Sequence, residues 1–254
     1  MKNFEGKNAL VVGGSGGIGF EISRMLLKNG ANLIIHGRNL QKLEKTRQNL
    51  KSEFENKMEI KIVPFDFDSE PFENLQNSGL INEIQKTDIL CVCYGPFLQK
   101  SLDKMSFSEW QKISLLDYAL PGICVSAALS EMKKKHFGRI LLFGGTGTNF
   151  RSEFLTNAAY AGAKTGLGVL VQSVACGFSS DGITCNAILP GFTETEYQSE
   201  KILEEGKNKM PEKKLIERES IAKKAEFLLK SDDLNGVLLK VDRGWSPLNA
   251  GKMN

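Results

Sequence analysis

The chain has 254 residues, of which 41% are hydrophobic, and carries a formal net charge of +3. This length suits one substantial α/β domain spanning 1–254 rather than two domains. The charge is too small, and too evenly alternated in stretches such as 41–57, to mark a nucleic-acid surface.

Apolar runs of strand character recur at 9–12, 32–36, 59–63, 89–93, 139–143, 184–189 and 237–241. Helical patterns fall between them, at 18–29, 40–54, 72–85, 107–135, 158–179 and 220–230. Strict alternation of the two predicts a parallel sheet covered on both faces. The expected architecture is an α/β doubly wound parallel seven-stranded sheet, strand order 3-2-1-4-5-6-7. Residues 193–219 break the pattern: they are rich in Glu and Lys, contain Pro211 and fit no strand. They are expected to form a mobile substrate-side flap with a helix or two.

Between the first strand and the first helix lies Gly13-Gly14-Ser15-Gly16-Gly17-Ile18-Gly19. Gly14, Gly16 and Gly19 satisfy GxGxxG, while Gly13, Gly17 and Gly19 satisfy GxxxGxG. A side-chain-free turn opening a helix lets backbone N–H groups and the helix N-terminus face a pyrophosphate. This placement points to a nucleotide. The second strand ends in Ile34-Ile35-His36-Gly37-Arg38-Asn39, with no carboxylate to receive ribose hydroxyls. Arg38, beside Asn39, instead offers a charged planar fork suited to an extra phosphate. The cofactor expected is therefore NADP(H), although Gly16 takes the place of a possible second basic residue in the loop.

Tyr160 and Lys164 stand one helical turn apart in a helix opened by small residues. A phenol of ordinary pKa ~10 needs a neighbouring cation to work near neutrality. The same spacing occurs at Tyr197 and Lys201 in the presumed flap. Only Tyr160 follows a central strand, so Tyr160 and Lys164 are the candidate acid/base pair.

The chain resembles the short-chain dehydrogenase/reductase family over nearly its whole length. The glycine loop and YxxxK are joined by Asp66, with Phe67 next to it, after the third strand. Trp110 matches a tryptophan frequent early in the long helix, Asn186-Ala187-Ile188-Leu189-Pro190-Gly191 the Asn-Ala-x-x-Pro-Gly segment, and Val241-Asp242-Arg243-Gly244 the closing motif. The resemblance implies a Rossmann-like single domain and reversible carbonyl reduction on a small-molecule carbonyl or alcohol. It implies adenine beside Asp66, a nicotinamide held by Phe192 to Thr195 (Thr193 and Thr195 among them), and a homodimer or homotetramer through the two long helices. Departures are equally specific. Val12 replaces the usual threonine, and Val92-Cys93-Tyr94-Gly95 keeps only the glycine of Asn-Asn-Ala-Gly. Tyr94 could narrow the cleft. The relay asparagine falls on Asp117 and the carbonyl-binding serine on Gly145, so Thr146 is expected to supply that donor, with Thr148 beyond it. Asp117 could pair with Lys164 or sit exposed. The rival reading is a nucleotide-binding regulatory or scaffold protein of the same fold.

Other residues read as structural. His36 and His136 are the only histidines, lie far apart and lack ligand spacing, so no metal is expected. Ser173 reads as helix packing, while Phe150, Phe154 and Phe192 could line a substrate pocket. Cys91, Cys93, Cys124, Cys176 and Cys185 lie in apolar segments without a CxxC pair and are expected to be reduced, buried thiols. Residues 1–7 lack a leader-like apolar region, and no run approaching ~20 apolar residues is evident. The expectation is a soluble cytoplasmic protein without a membrane partner.

Overall fold

The computed structural model describes residues 4–54, 58–149 and 153–246. Phe150, named above as a pocket candidate, and residues 1–3 lie outside these. The strands are β1 (Asn8–Val12), β2 (Asn32–Gly37), β3 (Ile60–Pro64), β4 (Ile89–Val92), β5 (Gly138–Phe143), β6 (Ile183–Pro190) and β7 (Leu238–Val241). They form one seven-stranded sheet in the order β3-β2-β1-β4-β5-β6-β7. Every neighbouring pair is parallel. The helices are α1 (Gly17–Lys28), α2 (Leu40–Glu53), α3 (Gly79–Ile84), α4 (Phe107–Ser114), α5 (Leu120–Lys135), α6 (Ala158–Phe178), α7 (Glu200–Lys209) and α8 (Arg218–Lys230).

Period-two alternation along β1 divides the core. Ala9 and Val11 face one layer, with Ile22 and Leu26 of α1 and Ile221, Ala225 and Leu228 of α8. Leu10 and Val12 face the other, with Leu80 of α3, Leu120 and Val125 of α5, and Leu167 and Val171 of α6. Each fully buried aliphatic side chain contributes on the order of 2 kcal/mol, and both faces of the central strands supply them.

Two expected helices are interrupted. Over 72–85 a 3-10 segment, Phe72–Asn77, precedes α3, because Ser78 caps α3 by accepting from the Ile81 N–H. Over 107–135 a π turn, Leu115–Ala119, separates α4 from α5. Pro121 cannot donate to the Asp117 carbonyl four residues back, and its ring presses on that carbonyl; the wider turn relieves the clash. The sequence reading missed one property of this run: Phe107–Lys135 is long and apolar enough to cross a bilayer by length and composition. One apolar side of it, Leu116, Leu120, Cys124, Val125, Ala128 and Met132, is buried within the fold.

The 193–219 segment contains one helix, α7, capped by Ser199. Its two ends are joined by a parallel bridge between Thr193 and Ile216. Among the cysteines, Cys176 departs from expectation and is exposed on α6.

Candidate active site

At the carboxyl edge of β1 the chain turns sharply into α1. Gly13 has φ +78°, and a Cβ on Gly19 would collide with the Gly13 carbonyl oxygen. Only glycine permits this approach, which brings the start of α1 close against the end of β1. His36 locks the turn from beneath: its Nδ1 accepts from the Gly13 N–H at 3.2 Å and its Nε2 lies 3.0 Å from the Phe65 carbonyl. Nε2 therefore carries the proton. Burial lowers the pKa of His36 to about 4, so the ring is neutral and structural.

Above the loop lies a cavity of about 1140 Å³, lined by Gly13, Ser15, Gly17, Ile18, Gly19, Arg38, Asn39, Phe67, Tyr94, Gly95 and Thr195 among others. That exceeds the ~300–1,000 Å³ usual for a small-molecule or cofactor site. Arg38 stands at its rim, exposed, 3.4 Å from Asp68. Asn39 caps α2, its Oδ1 accepting from the Lys42 N–H at 2.8 Å. Phe67 and Tyr94 meet with ring centroids 5.0 Å apart, forming an aromatic wall with Phe65. Burial, followed by the Asp68 charge, pushes the Tyr94 phenol up to about 12.

Three residues that local sequence patterns did not single out also reach this loop. The Gly17 N–H donates to both carboxylate oxygens of Glu196, at 3.0 and 3.2 Å. Arg218 donates to Glu196 at 2.9 Å, and Lys42 stands 3.4 Å from it. Glu196 thus holds the anion position at the N-terminus of α1. Tyr197 lies beside it, receiving a 2.8 Å bond from Lys42. The only sequence signals were an acid adjoining Thr195 and cations in the first turns of α2 and α8. The second Tyr-x-x-x-Lys match therefore places its phenol against Lys42, over the glycine loop.

Tyr160 and Lys164 lie on α6, beside the turn that follows β5. A Cβ built on Gly145 would stand 3.5 Å from the Tyr160 hydroxyl, so position 145 adjoins the phenol but offers no side-chain donor. Thr146 does not replace it. Its hydroxyl donates to Asp242 at 2.7 Å, drawn away by a carboxylate that also accepts from the Gly244 N–H and from Ser246. Thr148 is likewise committed, donating to the Gly145 carbonyl at 2.7 Å. The expected Thr146 donor is thus corrected: a charged acceptor holds its proton.

Lys164 Nζ donates to the Phe143 carbonyl at 3.0 Å and lies 2.9 Å from Asp117 Oδ1. The pair is close but poorly angled, since neither Asp117 oxygen receives a well-formed hydrogen bond from a described residue. Burial raises the Asp117 carboxyl above the usual range despite the ammonium. Tyr160 is half-buried, with Phe97 edge-on at 5.0 Å and Lys164 Nζ 5.7 Å from its ring centroid. Burial first, and Asp117 second, push its phenol upward.

The remaining expected residues occupy the same sheet edge without lining the large cavity. Asp66 accepts from the Asp68 N–H at 3.1 Å. Pro190 ends β6, and the Gly191 N–H donates to Val241 at 3.0 Å. Thr193 is buried and donates to the Gly191 carbonyl at 3.0 Å. Phe192 packs edge-on against Trp245 rather than standing open.

The fold and this edge define an α/β protein of the doubly wound, dinucleotide-binding class. A family model described as short chain dehydrogenase matches residues 7–206. The 3-oxoacyl-(acyl-carrier-protein) reductase FabG of Rickettsia bellii is 30% identical, covering 96% of this chain and 98% of that protein. The D-beta-hydroxybutyrate dehydrogenase of Rhizobium meliloti is 25% identical over 94% and 98%. Among solved structures, a short chain dehydrogenase/reductase family protein superposes with a TM-score of 0.85 at 24% identity, covering 96% and 99%. The actinorhodin polyketide ketoreductase with NADPH gives 0.80 at 20% identity over 97% and 98%. The chain belongs to the short-chain dehydrogenase/reductase family and is an oxidoreductase of that family.

Proposed function

We propose that this oxidoreductase is NADP(H)-dependent and interconverts a carbonyl compound and its alcohol, with Tyr160 as the acid/base. The observation that carries the reading is the Tyr160 phenol, beside the Gly145 turn, with Lys164 one helical turn further on.

The residues present fit the cofactor. Backbone N–H groups at the start of α1 would hold its pyrophosphate, and Arg38 with Lys42 and Lys45 on the cavity wall would meet an additional phosphate. Phe67 and Tyr94 would bound its adenine side, and Thr195 the opposite side. When bound, the cofactor supplies the hydride. The protein's own work is the proton: Tyr160 donates to the carbonyl oxygen in reduction and its phenolate accepts in oxidation. Lys164 retains donor capacity beyond Phe143 and Asp117, available to a hydroxyl of the bound molecule. The names of the curated relatives suggest 3-oxoacyl and 3-hydroxyacyl compounds as the first substrates to screen.

A regulatory, non-catalytic reading has its own support in Gly145 and in the engaged Thr146 hydroxyl. NADPH absorbance followed against a panel of ketones, sugars and acyl thioesters separates the two. With a substrate in hand, Tyr160→Phe should lower turnover by about 10²–10⁴ while NADPH still binds. Tyr197→Phe should at most alter apparent affinity. Turnover surviving in Tyr160→Phe would remove Tyr160 from the mechanism, and tight NADPH binding with no turnover of any carbonyl would favour the regulatory reading.

A further inference from the structure

Asp117 is a charged group beside Lys164 that the proton chemistry above does not use. It is fully buried in the π turn imposed by Pro121, 2.9 Å from Lys164 Nζ. A buried carboxylate without well-formed hydrogen bonds is costly, and its nearby compensation is that single ammonium. Gly95 closes over the pair: a Cβ there would collide with Asp117 Oδ1 and stand 2.9 Å from Lys164 Nζ. The titratable groups facing Asp117 are Lys164 and Tyr160 from α6 and Tyr94 from the segment after β4, while Cys93 faces Lys164. Of these only Lys164 is a cation.

We infer that Asp117 restrains ionisation of Tyr160: by engaging the Lys164 ammonium it keeps the phenol protonated through the neutral range and adapts the site to donate a proton to a carbonyl. The inference rests on the proposed role of Tyr160 and adds to it a residue that tunes the group without touching substrate. An ammonium facing a phenol favours the phenolate; an ammonium already paired to a buried carboxylate has little net field left to do so. The upward displacement of Tyr160 by burial and by Asp117 agrees with this arrangement.

In the reduction, the Tyr160 O–H bond and the carbonyl π bond would break as the carbonyl carbon receives the hydride that the bound cofactor would supply by losing one of its own C–H bonds and becoming oxidised. A C–H and an O–H bond form in the product, and solvent returns a proton to the phenolate. Alcohol oxidation needs the phenolate first, the form that Asp117 disfavours. Its rate should therefore keep rising with pH well above neutrality.

The test is a tyrosinate absorbance titration of the full chain, with Tyr160 isolated by difference against Tyr160→Phe. Asp117→Asn keeps the side chain's shape and removes its charge, and Asp117→Ser does so with a smaller side chain. In both, the Tyr160 midpoint should fall by at least about 1 pH unit. With a substrate, the pH at which alcohol oxidation reaches half its maximum should fall with it. A midpoint unchanged in Asn and Ser variants that retain a wild-type melting profile overturns the inference and leaves the role of Tyr160 intact. Full turnover in Tyr160→Phe would instead overturn the reading on which it rests.

Discussion

Arg38 stands at the end of β2 with two-thirds of its side chain exposed, 3.4 Å from Asp68. An exposed pair of this kind contributes little to stability, so the guanidinium remains free to exchange Asp68 for a phosphate. Arg38→Ala should weaken NADPH binding by about 1.5–3 kcal/mol, the range for hydrogen bonds to charged groups, and leave NADH nearly unchanged. Titration of cofactor fluorescence measures both; equal losses would show that Arg38 does not read the phosphate. His36, on the same strand, gives a prediction about pH. The fold lowers its pKa from 6.5 to about 4, so between those values the unfolded chain binds more protons than the folded one. Stability therefore rises with pH across that window, and acidification from pH 6.5 to 4 should remove up to about 3 kcal/mol. Denaturant melts of wild type and His36→Gln, compared at each pH, isolate the term. A wild-type slope identical to the variant's would mean that His36 is protonated in the fold.

The 193–219 segment is the element whose position matters most. Its Glu196 carboxylate sits against the Gly17 N–H where the start of α1 would face a pyrophosphate, and Lys42 and Arg218 flank it. On the proposed reading, cofactor phosphate and Glu196 would compete for one electropositive helix end. Glu196→Gln should tighten NADPH binding about two- to fivefold at low salt, an effect of the size charges have at a helix terminus, with the gain shrinking as salt rises. Weaker binding in the variant, measured by calorimetry at two salt concentrations, would show that Glu196 supports the bound state. The loop after β5 shows how an element can redirect a residue. Thr146, one position past Gly145, is the residue expected at the carbonyl, but Asp242 claims its hydroxyl from the far end of β7. The π turn was likewise hidden in a helical pattern, although Pro121 in that pattern is its cause.

At the scale of the molecule, apolar residues remain open along the α4 to α5 run and on α6. Phe107 is 85% exposed and Val169 64%, with Trp110, Tyr118 and Ile123 also exposed. We propose that these surfaces join copies of the chain into a homodimer or homotetramer, since several large apolar side chains left exposed on neighbouring helices favour association. Sedimentation equilibrium should find a dimer or larger, and Val169→Glu should reduce the mass toward one chain. A monomeric wild type at micromolar concentration would refute the assignment.

What the sequence determined by itself was whatever depends on near neighbours. Alternating apolar strands and amphipathic helices required a parallel sheet covered on both faces, and the observed strand order is the one expected. Glycines 13, 17 and 19 marked a turn that bulkier residues cannot make, because the steric demand falls on those positions themselves. The spacing of Tyr160 and Lys164 followed from helical geometry. Tertiary structure alone decided which polar groups meet: Thr146 with a carboxylate 96 positions away, and Gly17 with one 179 positions away. It also chose pairing over exposure for Asp117. Periodicity records which face of an element is buried, but a buried charge finds its partner only when separate elements pack, and no local pattern encodes that distance.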